Sequence, residues 1–138
     1  MKKAVGLLAV VYSLLITGCI STAPFDQQAY QTAVDLKVDS LAMMDQASGP
    51  YTNHTAEADA LMLRVHKAYE YAKGKPGNDE TVAQWAKMMD PKDKLMAGFI
   101  ADWEAKGQIK KSMIDNKKPM MAEAYDTIID LESAKLKK

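Results

Sequence analysis

The chain has 138 residues, of which 48% are hydrophobic and 26% are charged, and this is the size and composition of one globular domain. Its 18 basic and 18 acidic residues balance. The balance gives no support for a nucleic-acid partner, since such binders carry a concentrated basic face. The single cysteine, Cys19, excludes a disulfide within the chain and a metal site built from cysteines.

The first eighteen residues have the pattern of a secretory signal peptide. Lys2 and Lys3 form a positive start, and residues 4–17 form an apolar run. That run is shorter than the roughly 20 apolar residues that a membrane-spanning helix needs. We therefore interpret it as the apolar region of a signal peptide.

The apolar run ends in Ile16, Thr17, Gly18 and Cys19. This tetrapeptide resembles the lipobox of bacterial lipoproteins, in which an aliphatic residue, a small residue and Gly or Ala precede a cysteine. The resemblance implies that a peptidase cuts before Cys19, that the thiol carries a diacylglyceryl group, and that the new amino group is acylated. A cysteine buried in an N-terminal helix and ordinary signal-peptidase cleavage after Ala23 are the alternatives.

The predicted organisation has three parts: a signal peptide over residues 1–18, the lipidated cysteine and a short tether over 19–24, and one helical domain over 25–138. Cleavage would leave 16 basic and 18 acidic residues, a net charge near −2. The tether reaches only about 15 Å when extended. The residue after Cys19 is Ile20 rather than Asp, and among Gram-negative lipoproteins this resembles the outer-membrane class.

The first two predicted helices follow from apolar residues at helical spacing. The first covers about 25–47 and ends at Ser48, Gly49 and Pro50, while the second covers about 55–73, with Thr52 or Asn53 as possible caps. The predicted apolar stripe of the first helix contains Tyr30, Ala33, Val34, Val38, Leu41 and Met44, and that of the second contains Ala58, Leu61, Val65, Ala68, Tyr69 and Ala72.

The second half of the chain is also predicted to be helical. Asn78 precedes a third helix, which Asp90 and Pro91 interrupt before a further helix that reaches about residue 106. Residues 108–118 are basic and predicted to be irregular, with one helical turn over 109–114 as an option. Pro119 is predicted to open the last helix, which reaches about residue 136. The predicted apolar stripe of that helix contains Met121, Ala124, Tyr125, Ile128 and Ile129. The predicted fold class is all-α, an irregular four- to five-helix bundle.

Nine methionines follow Cys19, and six of them form the adjacent pairs Met43-Met44, Met88-Met89 and Met120-Met121. Thioethers are soft ligands that suit Cu(I), so a copper site is one hypothesis. Neighbouring residues point about 100° apart on a helix, however, and methionine fills irregular cores. Core packing is the favoured interpretation, and we predict no metal and no cofactor.

Other candidate residues have plain structural alternatives. His54 and His66 are twelve residues apart on one helix and cannot share a metal; His54 is expected to cap or lie at the surface. Lys37 falls among apolar positions of the first helix, where a buried lysine could be a base or nucleophile. The favoured interpretation is that its stem packs while its ammonium reaches solvent or pairs with a carboxylate. The remaining candidates are the carboxylate pairs Asp35/Asp39, Asp126/Asp130 and Asp102/Glu104, and a lysine cluster that anionic lipid could contact, Lys106, Lys110, Lys111, Lys117 and Lys118.

The residues support no catalytic motif, and an enzyme is not expected. The favoured hypothesis is a non-catalytic envelope lipoprotein that is anchored through Cys19 and binds another envelope protein or a cell-wall component. The alternative hypothesis is a periplasmic carrier of a small ligand or of a metal such as copper.

Overall fold

The structure, a computed structural model, describes residues 21–137. They form five α-helices and no strand: α1 (Gln27–Gln46), α2 (Thr55–Lys73), α3 (Asp79–Met89), α4 (Met96–Lys106) and α5 (Lys111–Ala134). Short 3-10 turns cover Tyr51–Asn53 and Lys135–Lys137. The predicted all-α bundle of four to five helices is confirmed.

The helices run up and down, and one end of the bundle is defined by the contacts around Gly77. The Tyr71 hydroxyl, near the end of α2, donates to Asp26, just before α1, over 2.7 Å. The Lys135 ammonium, just after α5, donates to Asn78, just before α3, over 2.6 Å. The start of α1, the end of α2, the start of α3 and the end of α5 therefore meet at what we call the Gly77 end.

The opposite end, which we call the Trp103 end, is closed by α4 and by backbone hydrogen bonds between loops. The Tyr51 N–H donates to the Gly107 carbonyl over 2.7 Å, and the Ile109 N–H donates to the Ala47 carbonyl over 2.7 Å. The Trp103 indole N–H donates to the Gly49 carbonyl over 3.0 Å. These bonds fix the loops that join α1 to α2 and α4 to α5.

The long helices α1, α2 and α5 form three sides of the bundle, and the short helices α3 and α4 together form the fourth. The 11 residues of α3 span about 16 Å, roughly half the length of α1. The predicted interruption at Asp90 and Pro91 is confirmed, although α4 begins only at Met96. The loop between them fits closely, since a Cβ on Gly98 would lie 2.0 Å from the Asp93 carbonyl oxygen.

The core lies between the four sides and contains large side chains at its centre. Trp85 and Tyr125 pack edge to face with ring centroids 6.1 Å apart, and Tyr51 packs in the same way on Trp103 at 5.4 Å. Such aromatic pairs add about 1 kcal/mol to the effect of burial alone. The hydroxyl of Tyr125 lies 2.7 Å from the Ser40 hydroxyl, so this polar pair is buried and satisfied.

The predicted apolar stripe of α1 is wrong in part. The buried positions are Ala33, Leu36, Ser40 and Met44, whereas Val38 is 61% exposed. The buried face of α1 is rotated about the helix axis from the predicted stripe, because it is set by contacts with α5 and α2. It includes Ser40, which pairs with Tyr125. The stripe of α2 is confirmed at its five buried positions, Ala58, Leu61, Val65, Ala68 and Ala72.

The prediction for residues 108–118 is wrong from residue 111 onward. Residues 108–110 lie outside the helices, but α5 begins at Lys111 and runs through Pro119, which lies inside the helix rather than at its start. Ile114 is buried and holds the first turns against the core. Pro119 is exposed, and so is Asp115, whose carbonyl loses its usual donor. Water can reach that carbonyl, which is why the helix tolerates the proline.

Candidate functional site

The predicted lipobox, Ile16 to Cys19, lies outside the described residues, but the tether that follows it is partly described. Ala23 is 3% exposed, and its N–H donates to the Gly77 carbonyl over 3.0 Å. Gly77 has φ 73°, and a Cβ there would lie 2.0 Å from the Ser21 carbonyl oxygen. The tether is therefore packed on the loop between α2 and α3, and glycine is required at the contact for both its conformation and its size.

A cleft opens between α1 and α2 near the Gly77 end, and we call it the α1–α2 cleft. Its volume is about 260 Å³. The facing residues on the two helices are small at this level, namely Ala29, Ala68 and Ala72, and Trp85 forms part of the inner wall. The remaining lining residues are Gln28, Thr32, Asp35, Arg64, Lys67, Tyr71, Thr81 and Glu132. The walls are mainly apolar, and the charged side chains lie toward solvent, apart from Glu132.

A buried polar group, which we call the Glu132 cluster, adjoins the cleft and consists of Asn78, Thr81, Glu132 and Lys135. Oε1 of Glu132 accepts hydrogen bonds from the Lys135 ammonium at 2.6 Å and from the Thr81 hydroxyl at 3.1 Å. The Asn78 amide donates to the Ala72 carbonyl over 2.9 Å. Glu132 is 1% exposed and Lys135 is 8% exposed, so this ion pair is shielded from solvent.

One atom of the Glu132 cluster is left without a donor. Oε2 of Glu132 is buried and makes no hydrogen bond to any residue between 21 and 137. Almost all buried polar atoms in folded proteins have a partner, so this unpaired oxygen is unusual. Its chemistry is that of an acceptor for one further hydrogen-bond donor.

A second charged group closes the Gly77 end beside the cluster. Asp26 caps α1 through the Ala29 N–H at 3.0 Å and also accepts from Tyr71 and from Lys75. Burial lowers the pKa of Lys75 below its usual range, the negative charge of Glu132 raises it, and the positive charge of Lys135 lowers it. Lys75 is thus electrostatically coupled to the Glu132 cluster.

The methionine pairs are divided between the core and its edge. Met44, Met88 and Met121 are fully buried, whereas their neighbours Met43 and Met89 are half-buried and Met120 is exposed. This is the outcome expected from neighbouring positions on a helix. Core packing therefore accounts for one methionine of each pair, as predicted.

The structure places the predicted histidines and Lys37 in structural roles. His54 occupies the N-cap position of α2, with Nδ1 2.9 Å from Glu57 Oε2 and its ring centroid 5.5 Å from that of Trp103. His66 is exposed, with Glu70 3.8 Å away. Lys37 pairs with Asp126 at the surface, which confirms the favoured interpretation.

The remaining carboxylate pairs do not form a shared site. Asp39 is bound by Arg64, while Asp35 accepts from Gln31 over 3.0 Å. Asp102 accepts from Lys117 over 3.0 Å, and this hydrogen bond is the main reason that the pKa of Asp102 lies below its usual range. Among the described residues, no group of three or more His, Cys, Asp or Glu side chains is placed to hold a metal ion.

Most lysines of the cluster that was predicted to lie on a loop form ion pairs with aspartates. Lys117 and Lys106 pair with Asp102, Lys118 pairs with Asp45 over 2.7 Å, and Lys111 pairs with Asp115 over 2.7 Å. Two of these pairs, those of Lys117 and Lys118, join α5 to α4 and to the end of α1. The cluster is a set of surface ion pairs rather than a concentrated positive patch, which weakens the case for contact with anionic lipid.

Sequence reasoning missed Glu132 and Lys135. The predicted stripe of the last helix contained Tyr125 and Ile128, which are both buried. Steps of four and three residues from Ile128 lead to Glu132 and then to Lys135, so extending the stripe would have placed both charges on the buried face. Charged residues at helix ends are usually assigned to solvent, so this pair was not considered as part of the buried face.

Comparisons with known proteins add no further assignment. The chain matches no protein-family model, no curated protein and no solved structure. Within residues 21–137, no helix is both long and apolar enough to cross a membrane.

Proposed function

We propose that this protein is an envelope lipoprotein whose helical domain is non-catalytic, is anchored by lipid on Cys19, and binds another envelope protein or a cell-wall component. If the host has an outer membrane, the absence of Asp after Cys19 supports that membrane as its location. Two or more acyl chains hold a protein firmly on a bilayer, whereas one chain gives marginal binding. A lipoprotein cysteine would meet that requirement.

The observation that carries this proposal is the packed tether. Ser21 and Ala23 lie against Gly77, so Ile20 is the only residue between the lipidated cysteine and the packed segment. Two residues span at most about 7 Å. Lipid on Cys19 would therefore hold the Gly77 end next to the head groups and present the rest of the domain away from them.

The outward surface would include the Trp103 end. The 20 residues of α1 place that end about 30 Å from the start of the helix. Its loops are fixed by backbone hydrogen bonds and by the Trp103 indole. A rigid outward surface of this kind suits recognition of a protein or of a cell-wall component.

Mass spectrometry of the protein extracted from cell envelopes tests the anchor. We expect a mature N-terminus at Cys19 that carries two or three acyl chains, and we expect Cys19→Ser to yield an unlipidated chain. A free thiol on the processed protein would overturn the proposal. Crosslinking in intact envelopes from a photoreactive residue at Thr52, which is exposed at the Trp103 end, then identifies the partner. The same residue placed at Lys137, at the Gly77 end, serves as the control.

Binding of a small ligand is the second candidate function, and the α1–α2 cleft is the observation that favours it. The cleft combines apolar walls with a buried, unpaired carboxylate oxygen. The copper form of this alternative has less support, because each adjacent methionine pair is divided between different surroundings. Purified protein that retains an organic molecule through native mass spectrometry would favour the ligand-binding candidate.

A further inference from the structure

One carboxylate oxygen beside the α1–α2 cleft is buried and unpaired. Glu132 lines the cleft, and its Oε1 is taken by Lys135 and Thr81. Its Oε2 receives no hydrogen bond from the described part of the chain. Because a buried acceptor without a donor is costly, the site favours a molecule that supplies one.

The charges around Oε2 restrict the kind of donor. Glu132 and Lys135 neutralise each other as a buried pair, and Lys75 is paired with Asp26. Both pairs are already neutral, so the charge of a ligand ammonium or carboxylate would be buried without a partner of its own. A neutral hydroxyl or N–H group satisfies Oε2 without either penalty.

The walls of the cleft restrict the body of the ligand. Ala29, Ala68 and Ala72 leave space between α1 and α2, and Trp85 offers an aromatic surface. The volume of about 260 Å³ exceeds the roughly 150 Å³ of an apolar cavity that holds benzene. It falls short of the roughly 300 Å³ at which pockets for drug-sized ligands begin. One or two rings, or a short branched chain, fit this space.

We propose that the α1–α2 cleft binds a small neutral organic molecule whose apolar body lies against Ala68, Ala72 and Trp85. As the molecule enters, the side chains that cover Oε2 of Glu132 move aside, and its hydroxyl or N–H group donates to that oxygen. This inference rests on the small-ligand candidate above and is independent of lipid on Cys19. The Glu132–Lys135 pair holds the carboxylate in place, and the free oxygen selects for a donor.

Two fluorinated probes of nearly the same shape test the inference. 5-Fluoroindole carries an N–H donor, and 5-fluorobenzofuran carries an ether oxygen in its place. The mature protein, extracted from envelopes into lipid nanodiscs, is titrated with each probe and followed by fluorine NMR, with empty nanodiscs as the blank for partition into lipid. We expect 5-fluoroindole to bind about tenfold or more tightly than 5-fluorobenzofuran, and about tenfold or more tightly than the cation 4-fluorobenzylamine.

Two variants link the preference to the cleft. Glu132→Gln places an amide where the acceptor stands, and we expect the ratio between indole and benzofuran to fall to about threefold or less. Ala29→Leu fills the cleft from α1 and leaves the Glu132 cluster intact, so it keeps the test valid if Glu132→Gln does not fold. We expect it to weaken 5-fluoroindole binding about tenfold or more, whereas Ala83→Leu, at an exposed position on α3, leaves binding unchanged.

Several results would overturn the inference: equal affinity for the two ring probes, no saturable binding of either, stronger binding of the amine, or a preference that survives Glu132→Gln. The mass of the same purified sample reports lipid on Cys19. A sample that carries lipid but shows no donor preference refutes the ligand site alone, and a sample without lipid that shows the preference refutes the anchor alone.

Discussion

At the scale of single residues, Lys135 shows how an ion pair can be both costly and necessary. Its ammonium donates to Glu132 and to Asn78, each over 2.6 Å, inside the Gly77 end. Taking two charges out of water costs several kcal/mol per ion, and their attraction only offsets that cost. The pair therefore contributes less to net stability than to fixing how α5 meets α3. Loss of one partner should be far worse than loss of both.

Lys135→Met is expected to destabilise the fold by about 3–5 kcal/mol, because it leaves the Glu132 carboxylate buried without its cation. The free energy of unfolding from urea titration measures the effect. Lys137→Met, two residues away at an exposed position, provides the matched control and should change stability by less than about 0.5 kcal/mol. Similar losses in both variants would show that the Glu132 cluster is not needed for folding.

Tyr125 provides a prediction about pH. Burial raises the pKa of its phenol to about 12 from the ordinary 10.0. Between those values the folded state holds a proton that the unfolded state has released, so the free energy of unfolding must fall as pH rises through this window. The stabilisation that comes from the buried, protonated phenol is fully present below pH 10.0 and is lost as the pH rises to about 12. Urea titrations at several alkaline pH values should show a shallower fall for Tyr125→Phe than for the unchanged protein, and equal slopes would contradict this.

At the scale of helices, α5 continues through a proline because its neighbours hold it. Lys117 pairs with Asp102 on α4, Lys118 pairs with Asp45 at the end of α1, and Ile114 is buried. Each of these contacts lies before Pro119. They keep the first turns of the helix in place although the proline cannot donate to the carbonyl of Asp115.

Pro119→Ala is therefore expected to stabilise the protein, by up to about 3 kcal/mol, since it restores a helical hydrogen bond and removes a clash. Pro91→Ala is the comparison, because Pro91 lies in the loop between α3 and α4. At that position, replacing proline only increases the conformational freedom of the unfolded chain. The free energy of unfolding should therefore fall by about 0.5–1 kcal/mol. Opposite signs in thermal or urea unfolding would confirm the explanation, and a destabilised Pro119→Ala would refute it.

The same helix shows what sequence reasoning can and cannot provide. The helix classes and most of their bounds could be predicted, since α2 has a regular apolar stripe and clear breaks on both sides. The start of α5 could not, because a proline after several lysines is typical of a helix start, and the ion pairs that override it involve Asp102 and Asp45 from distant parts of the chain. Local patterns carry no information about such partners.

The candidate site was less accessible to prediction than the fold, and the reason is again distance along the chain. Glu132 belongs to a candidate site only because Thr81 donates to it and because there is space beside Ala29, Ala68 and Ala72. These four residues lie on three other helices. Small residues on α1 and α2 are compatible with close packing as well as with a cleft. Only the assembled bundle distinguishes the two.

At the scale of the whole molecule, the packed tether would fix the orientation of the domain on the membrane if Cys19 carries lipid as proposed. A lipid attached through a free linker would let the domain rotate above the bilayer, whereas Ser21 and Ala23 are held against Gly77. The Gly77 end should then face the head groups, with the Trp103 end about 30 Å above it. Tyr71 and Gln28, which line the α1–α2 cleft, would lie close to the membrane, where an apolar neutral ligand is concentrated.

Fluorophores on single added cysteines, Ala134→Cys at the Gly77 end and Ala56→Cys at the Trp103 end, measure this orientation in vesicles with a nitroxide quencher on the lipid head groups. Both positions are exposed, and lipid occupies the thiol of Cys19 in the proposed mature form. We expect strong quenching at position 134 and little at position 56, because the two ends stand about 30 Å apart along the helices. Equal quenching would mean that the domain tumbles despite the packed tether.

The role of the tether itself is isolated by a pair of glycine variants. Gly77 and Gly107 have nearly the same backbone angle, with φ 73° and 76°, but a Cβ meets the Ser21 carbonyl oxygen only at Gly77 and open space at Gly107. Alanine at either position imposes similar backbone strain, so only Gly77→Ala should release the tether. We expect it to reduce the difference in quenching between the two ends, while Gly107→Ala preserves the difference. Preservation in both would show that something other than the packed tether orients the domain.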